Sequence, residues 1–205
     1  TWISRNSNNR WNYSTIPISN TEKVYFEVHQ SGNSGGSHTP GFGITKHGHP
    51  GGDNYPGGQS DESDWGFYVG TGSTTTGVDI KHDAADATNA AGNAMDDQAG
   101  GANGDVYMCA RHGANLWFGT NGTWYDGGDP GTGNGDPTDG GTTAIFASGR
   151  SPLPTNVPLW VAFHSYGSQA KLTWRPYSSQ WKYSAPSGYG EMKSTITGTG
   201  NYCTL

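Results

Sequence analysis

The chain has 205 residues, enough for one large β domain whose core needs neither metal nor disulfide staples. Its 34 Gly, 11 Pro, 12% aromatic and 14% charged residues place the apolar area on Trp, Tyr and Phe, which predicts strands and long loops in place of a Leu-rich helical core. A net charge of −6 with scattered Lys and Arg excludes the basic face a nucleic-acid backbone requires. No apolar run approaches the roughly 18 residues of a membrane span, so no membrane insertion is expected.

The opening residues, Thr1 to Arg5, lack the charged-then-apolar pattern of a signal sequence, and a soluble chain is expected. The first clear strand is Lys23 to His29, with Val24, Phe26 and Val28 on one face and Tyr25, Glu27 and His29 on the other. That period of two predicts a half-buried antiparallel strand with its apolar face inward. Further strands are predicted at Gly41 to Ile44, Trp65 to Val69, Asp105 to Ala110, Ala114 to Phe118, Thr143 to Phe146, Leu159 to Phe163 and Ala170 to Trp174, each bounded by turn-forming residues. The Ala-rich stretch Asp83 to Gly100 is interrupted by Asn, Asp and Gly and supports at most a short turn or helix. Asn121-Gly122, between Leu116-Trp117-Phe118 and Trp124-Tyr125, predicts a hairpin with a type I′ turn. Three Gly-rich loops are long: Ser31 to Pro40, His47 to Ser63 and Asp126 to Gly141. No fixed-period repeat or linker appears, so residues 1–205 are expected to form one domain.

These pieces form an ordered series. Lys23-Val24-Tyr25-Phe26-Glu27-Val28 is followed by Gly41-Phe42-Gly43-Ile44, Trp65-Gly66-Phe67-Tyr68 and Gly104-Asp105-Val106. Leu116-Trp117-Phe118, Asn121-Gly122, Trp124, Gly128-Asp129-Pro130 and Tyr183 through Pro186-Ser187-Gly188-Tyr189 complete it. The series resembles the SPRY domain, particularly the SPRY-like modules of bacteriophage tail and other virion proteins. The likeness runs from about residue 9 to 192, leaving 193–205 as a C-terminal tail. It implies an all-β, concanavalin-like jelly roll, a single antiparallel β-sandwich whose loops at one edge or end form a ligand surface. Two departures are the long stretch Thr71 to Asn103 and Met108 to His112, where the family has an aliphatic-Asp segment.

A glycoside hydrolase on such a sandwich needs two carboxylates facing across a groove. Here Asp61, Glu62 and Asp64 cluster in a polar loop, Glu27 stands alone on its strand, and Glu22 and Glu191 belong to no acidic pattern. No Gly-x-Ser-x-Gly elbow occurs, and no enzyme activity is expected. His47 and His49, at alternate positions, have the donor type for a metal with His38 or Asp53, but a solvated loop is the default. Asp126, Asp129, Asp136 and Asp139 supply the hard oxygens Ca²⁺ prefers without EF-hand spacing. No cofactor is expected, Ca²⁺ being the one alternative. Cys109 and Cys203 are either a disulfide tying down the tail or two separate thiols.

Of the eight Trp, Trp65, Trp117, Trp160 and Trp174 fall at packing positions. Trp124, Tyr125 and Tyr55 adjoin long loops and, with His47 and His49, are the candidate ligand contacts. The expected function is noncovalent: a virion or extracellular-surface subunit (tail fibre, capsid fibre or decoration protein), homo-oligomeric or part of a larger assembly. Its loop tips would contact neighbouring subunits or a host-surface glycan or protein. An intracellular peptide-binding SPRY adaptor is the alternative, and a carbohydrate-active enzyme the third.

Overall fold

The computed structural model describes residues 2–3, 10–19, 21–32, 39–46, 64–69, 77–82, 85–86, 100–113, 115–125, 157–166 and 171–193. Twelve strands are present among them: β1 (Trp2–Ile3), β2 (Arg10–Ile18), β3 (Val24–Gly32), β4 (Thr39–Thr45), β5 (Asp64–Val69) and β6 (Val78–His82), then β7 (Ala85–Asp86), β8 (Val106–His112), β9 (Asn115–Thr120), β10 (Thr123–Trp124), β11 (Leu159–Tyr166) and β12 (Lys171–Arg175). They form two six-stranded sheets, β1-β12-β3-β8-β9-β10 and β2-β11-β4-β5-β6-β7. Every named pairing within them is antiparallel. The architecture is the expected all-β antiparallel sandwich.

The core lies between the sheets. Val24, Phe26 and Val28 of β3, Tyr107 and Cys109 of β8, Leu116 and Phe118 of β9 and Leu172 of β12 meet Phe42 and Ile44 of β4, Val78 and Ile80 of β6, and Leu159, Val161 and Phe163 of β11. Alternation along each strand puts these side chains on one face. Phe42 is fully buried at the centre, with ring centroids 6.2 Å from Phe26, 5.8 Å from Phe118 and 6.2 Å from Tyr107. Cys109 is a buried free thiol on this inner face. Burial pushes that thiol well up, and it is inert at neutral pH. Cys203 lies outside the described residues.

The expected hairpin is β9–β10, with Thr123 opposite Thr120 and a two-residue turn at Asn121 (φ 53°) and Gly122 (φ 89°). Asn tolerates the positive φ and Gly has no Cβ to clash. The Asn121 side chain also accepts from the Val106 N–H at 3.0 Å and donates to Asp105 Oδ1 at 2.8 Å. Gly119, in β9, faces the returning strand. A Cβ there would collide with the Thr123 carbonyl oxygen and stand 2.8 Å from Met108 Cε. Gly119→Ala should therefore cost about 1–3 kcal/mol through overpacking. An unchanged urea midpoint would show that the hairpin can shift away.

Strands β1, β2, β6 and β7 go beyond the expected set, and β7 replaces the turn or helix expected near Ala85. β2 carries Pro17 and, among the described residues, pairs with β11 alone, an edge position where a missing N–H is tolerated. Its register slips between Trp160 and Ala162. There Ser14 Oγ accepts from the Val161 N–H at 3.1 Å and donates to the Ile16 carbonyl at 2.7 Å. Proline and bulge together blunt this nine-residue edge against pairing with another chain. The expected strand Thr143 to Phe146 lies outside the described residues.

His164, on β11, is 1% exposed, and burial pushes its imidazole down to about 4. It is neutral when folded and gains a proton near pH 6.5 when unfolded. This part of the stability is complete above pH 6.5 and is lost as pH falls from there towards 4. With about 1.4 kcal/mol for each tenfold in proton affinity, the loss is about 3 kcal/mol. Urea midpoints at pH 7 and 4.5 should differ accordingly, and His164→Gln should flatten the difference. An equal acid loss in the variant would put the proton uptake elsewhere.

Candidate functional site

Strand registers define one end of the sandwich. Thr45 pairs with both Asp64 and Trp160, and Ile18 pairs with Leu159. The ends of β2 and β4 therefore lie beside the starts of β5 and β11. One of the three long Gly-rich segments, 47–63, connects β4 to β5 at this end. The start of β3 is at the same end, with Val24 opposite Arg111 near the end of β8.

Arg111 fixes this end from within. Its side chain is fully buried, Nε donating to the Gly113 carbonyl at 3.1 Å and NH1 to the carbonyls of Ile18 and Ser19 at 3.3 and 3.2 Å. Burial pulls the guanidinium down to about 10, so it stays charged at neutral pH. Ser19 Oγ in turn accepts from the N–H groups of Thr21 and Glu22. These bonds hold the turn that presents Glu22 and Lys23.

The second wall of the end is the closing segment after β12. It passes through a short 3-10 turn, Ser178–Gln180, and lies over the outer face of the β3-containing sheet. Trp181, Tyr183, Ala185 and Tyr189 pack there on Tyr25, Met108, Ala110 and Trp117, with Trp124 beside them. Tyr25 stands edge-on to Trp181 at 4.8 Å and to Trp124 at 6.2 Å, and Trp117 edge-on to Tyr189 at 6.3 Å. The anchor is Glu27, whose side chain is 0% exposed. Its carboxylate accepts from the Lys182 and Tyr183 N–H groups at 2.8 Å each, from Tyr25 Oη at 3.0 Å, and bonds His29 Nε2 at 2.7 Å. Desolvation alone would raise its pKa, but the bonds from His29, Lys182, Tyr183 and Tyr25 outweigh that and hold it below the ordinary range. The polar face of β3, expected to meet solvent, is thus sealed by the chain's own C-terminal part.

The segment then returns to the start of β3. The Tyr25 N–H donates to the Gly190 carbonyl at 2.8 Å and the Gly190 N–H to the Lys23 carbonyl at 3.0 Å, a parallel bridge. Between the two walls is an open groove of about 270 Å³ lined by Glu22, Lys23, Gly188, Gly190, Glu191 and Lys193. Lys193 Nζ pairs with Glu22 Oε1 at 2.9 Å. Glu191 Oε2 accepts from the Ser178 N–H and hydroxyl at 2.9 and 3.0 Å, and these bonds hold its carboxyl below the ordinary range. Lys23 Nζ stands 5.5 Å over the Tyr189 ring. Tyr177, next to the Ser178 contact, is 40% exposed, the one large apolar side chain so exposed among the described residues.

Of the expected contact residues, Tyr125 is a correction. It is 8% exposed, part of the inner core, with its hydroxyl bonded to Thr120. The I′ turn sends the chain back beside β9, and Tyr125 turns inward instead of entering the loop. Trp124 is half-buried beside Tyr25. Trp117 and Trp174 pack as expected, Trp174 at 6.0 Å from Phe163, Trp160 is half-buried, and the Trp65 side chain is not among those described. Tyr55, His47, His49, Asp126, Asp129, Asp136 and Asp139 lie outside the described residues. The groove residues escaped sequence reasoning because its walls are separated by more than 160 positions. The only signal was the Pro186-to-Tyr189 motif.

No protein-family model matches the chain, and no curated protein matches it significantly. Solved SPRY domains are similar to it in structure. That of human HERC1 has 12% identity and a TM-score of 0.49, over 82% of each chain. A second human SPRY domain has 17% identity and a TM-score of 0.47, over 82% of this chain and 86% of that one. The TRIM65 PSpry domain has 15% identity and a TM-score of 0.46, over 80% and 67%. Identities this low carry neither ligand nor partner across.

Proposed function

We propose that this chain is a non-catalytic, SPRY-like recognition module displayed on a virion or other extracellular surface, where it contacts neighbouring subunits or a host-surface glycan or protein. One observation carries the reading. A single end of a rigid double sheet holds an open groove between walls fixed by Arg111 and Glu27, and the long Gly-rich segment 47–63 joins the fold there. Binding residues are commonly grafted on loops held by such a scaffold. The motif series agrees: those of its pieces among the described residues fall in order on β3, β4, β5, the approach to β8, the β9–β10 hairpin and the closing segment.

The test is solution size together with glycan-array and subunit binding. A multimer that retains a glycan or partner subunit supports the reading, and a monomer that retains neither overturns it. Cleavage of an array oligosaccharide overturns its non-catalytic part. The charged groove favours a second reading, a peptide-reading adaptor, which predicts a monomer that binds an extended peptide.

A further inference from the structure

We infer that the groove between the start of β3 and the closing segment takes an acidic peptide segment, with a carboxylate of the partner seated on Lys23. The inference rests on the recognition-module reading and names the partner chemistry of the same site. Four charged side chains line the groove, and three are already engaged. Glu22 and Lys193 neutralise each other, and Glu191 is held by two bonds from Ser178. Lys23 makes no ion pair among the described residues. Its ammonium is steered over the Tyr189 face, a contact that orients the cation and leaves its N–H donors for an anion.

The floor points the same way. Gly188 has φ +80°, so the backbone itself asks for glycine there, and a Cβ would touch the Lys23 stem at 3.6 Å. Gly190 is different. It carries no positive φ, and a Cβ built on it meets nothing within 4 Å. Neither backbone nor packing requires glycine at 190, and its effect is to leave the groove open at the Lys23 wall. An extended chain crossing this floor comes close to the backbone without meeting a side chain. A nucleic acid, the other common polyanion, needs a stripe of several cations along its backbone, and this groove offers Lys23 as its one unpaired cation among the described residues.

The experiment is fluorescence anisotropy on the full chain with short labelled peptides carrying Glu among Gly, Ser and Leu, and their Gln counterparts as controls. Glu peptides should bind and Gln peptides bind at least about tenfold more weakly. Lys23→Ala should weaken Glu-peptide binding by a similar factor, about tenfold, and Lys23→Arg should keep it. Gly190→Leu, whose Cβ has open space, should fill the groove and block binding while leaving the urea midpoint unchanged. Glu-peptide binding untouched by Lys23→Ala and Gly190→Leu overturns the inference and leaves the module reading intact. Absence of binding by every peptide also overturns it, and the module reading falls only if the glycan and subunit assays are blank as well.

Discussion

Glu27→Ala should destabilise the protein by about 3–5 kcal/mol, as expected when one member of a buried, charge-assisted network is removed. The substitution strips the acceptor from the Lys182 and Tyr183 N–H groups, the Tyr25 hydroxyl and His29. The buried Tyr25 hydroxyl and the part-buried Lys182, Tyr183 and His29 donors then lose their partner, and that desolvation cost makes up part of the loss. Glu27→Gln should cost less, because one amide oxygen still accepts while the NH2 opposes the remaining donors. Because the closing segment is clamped at Lys182–Tyr183, local loosening should accompany the global loss. Trypsin should cut after Lys182 faster in the variant under native conditions. The folded carboxyl sits below its ordinary 4.5, so its contribution is complete above pH 4.5 and is lost as pH falls through the lower folded value. This acid step begins at the lower edge of the His164 window and should be missing from Glu27→Gln. A wild-type urea midpoint together with unchanged cleavage at Lys182 would remove Glu27 as the clamp.

Phe42→Ala should also cost about 3–5 kcal/mol, by the lost transfer energy of the ring and the cavity left between the sheets. Phe42 is fully buried and ringed by Phe26, Phe118 and Tyr107, all on the opposite sheet. Both strands beside β4 also pair with it directly, so neither sheet can close the gap without breaking ladder bonds. Phe42→Leu, which keeps more of the volume, should lose less. The urea midpoint should fall while its slope stays the same, since no different surface is exposed on unfolding. A loss of less than about 1 kcal/mol would mean that the sheets move together to fill the space.

Much of the sandwich was legible where local chemistry and tertiary role coincide. β3, β4, β5, β8, β9, β11 and β12 carry period-two runs of large apolar residues, and Asn121-Gly122 announced its turn. β2 was not legible because an edge strand tolerates Pro17 and polar residues. β6 is short, yet Val78 and Ile80 alternate with Asp79 and Lys81 and could have been read as a strand. Tyr125 was misplaced because proximity to a loop in sequence says nothing about which face a strand residue takes once a hairpin has turned.

By itself the sequence determined the all-β class, the inward faces of the central strands and the β9–β10 turn, because each follows from a run of a few neighbouring residues. The tertiary structure alone decided that Glu27 is buried, that Arg111 holds the 19–23 turn, and that Lys23 meets Gly190 across a groove. Those relations join residues up to 167 positions apart, Lys23 to Gly190. Their energy comes from desolvation and from hydrogen bonds completed between distant segments. No local pattern encodes such pairings, because the same Glu, Arg or Lys on a solvated strand has the same neighbours in sequence.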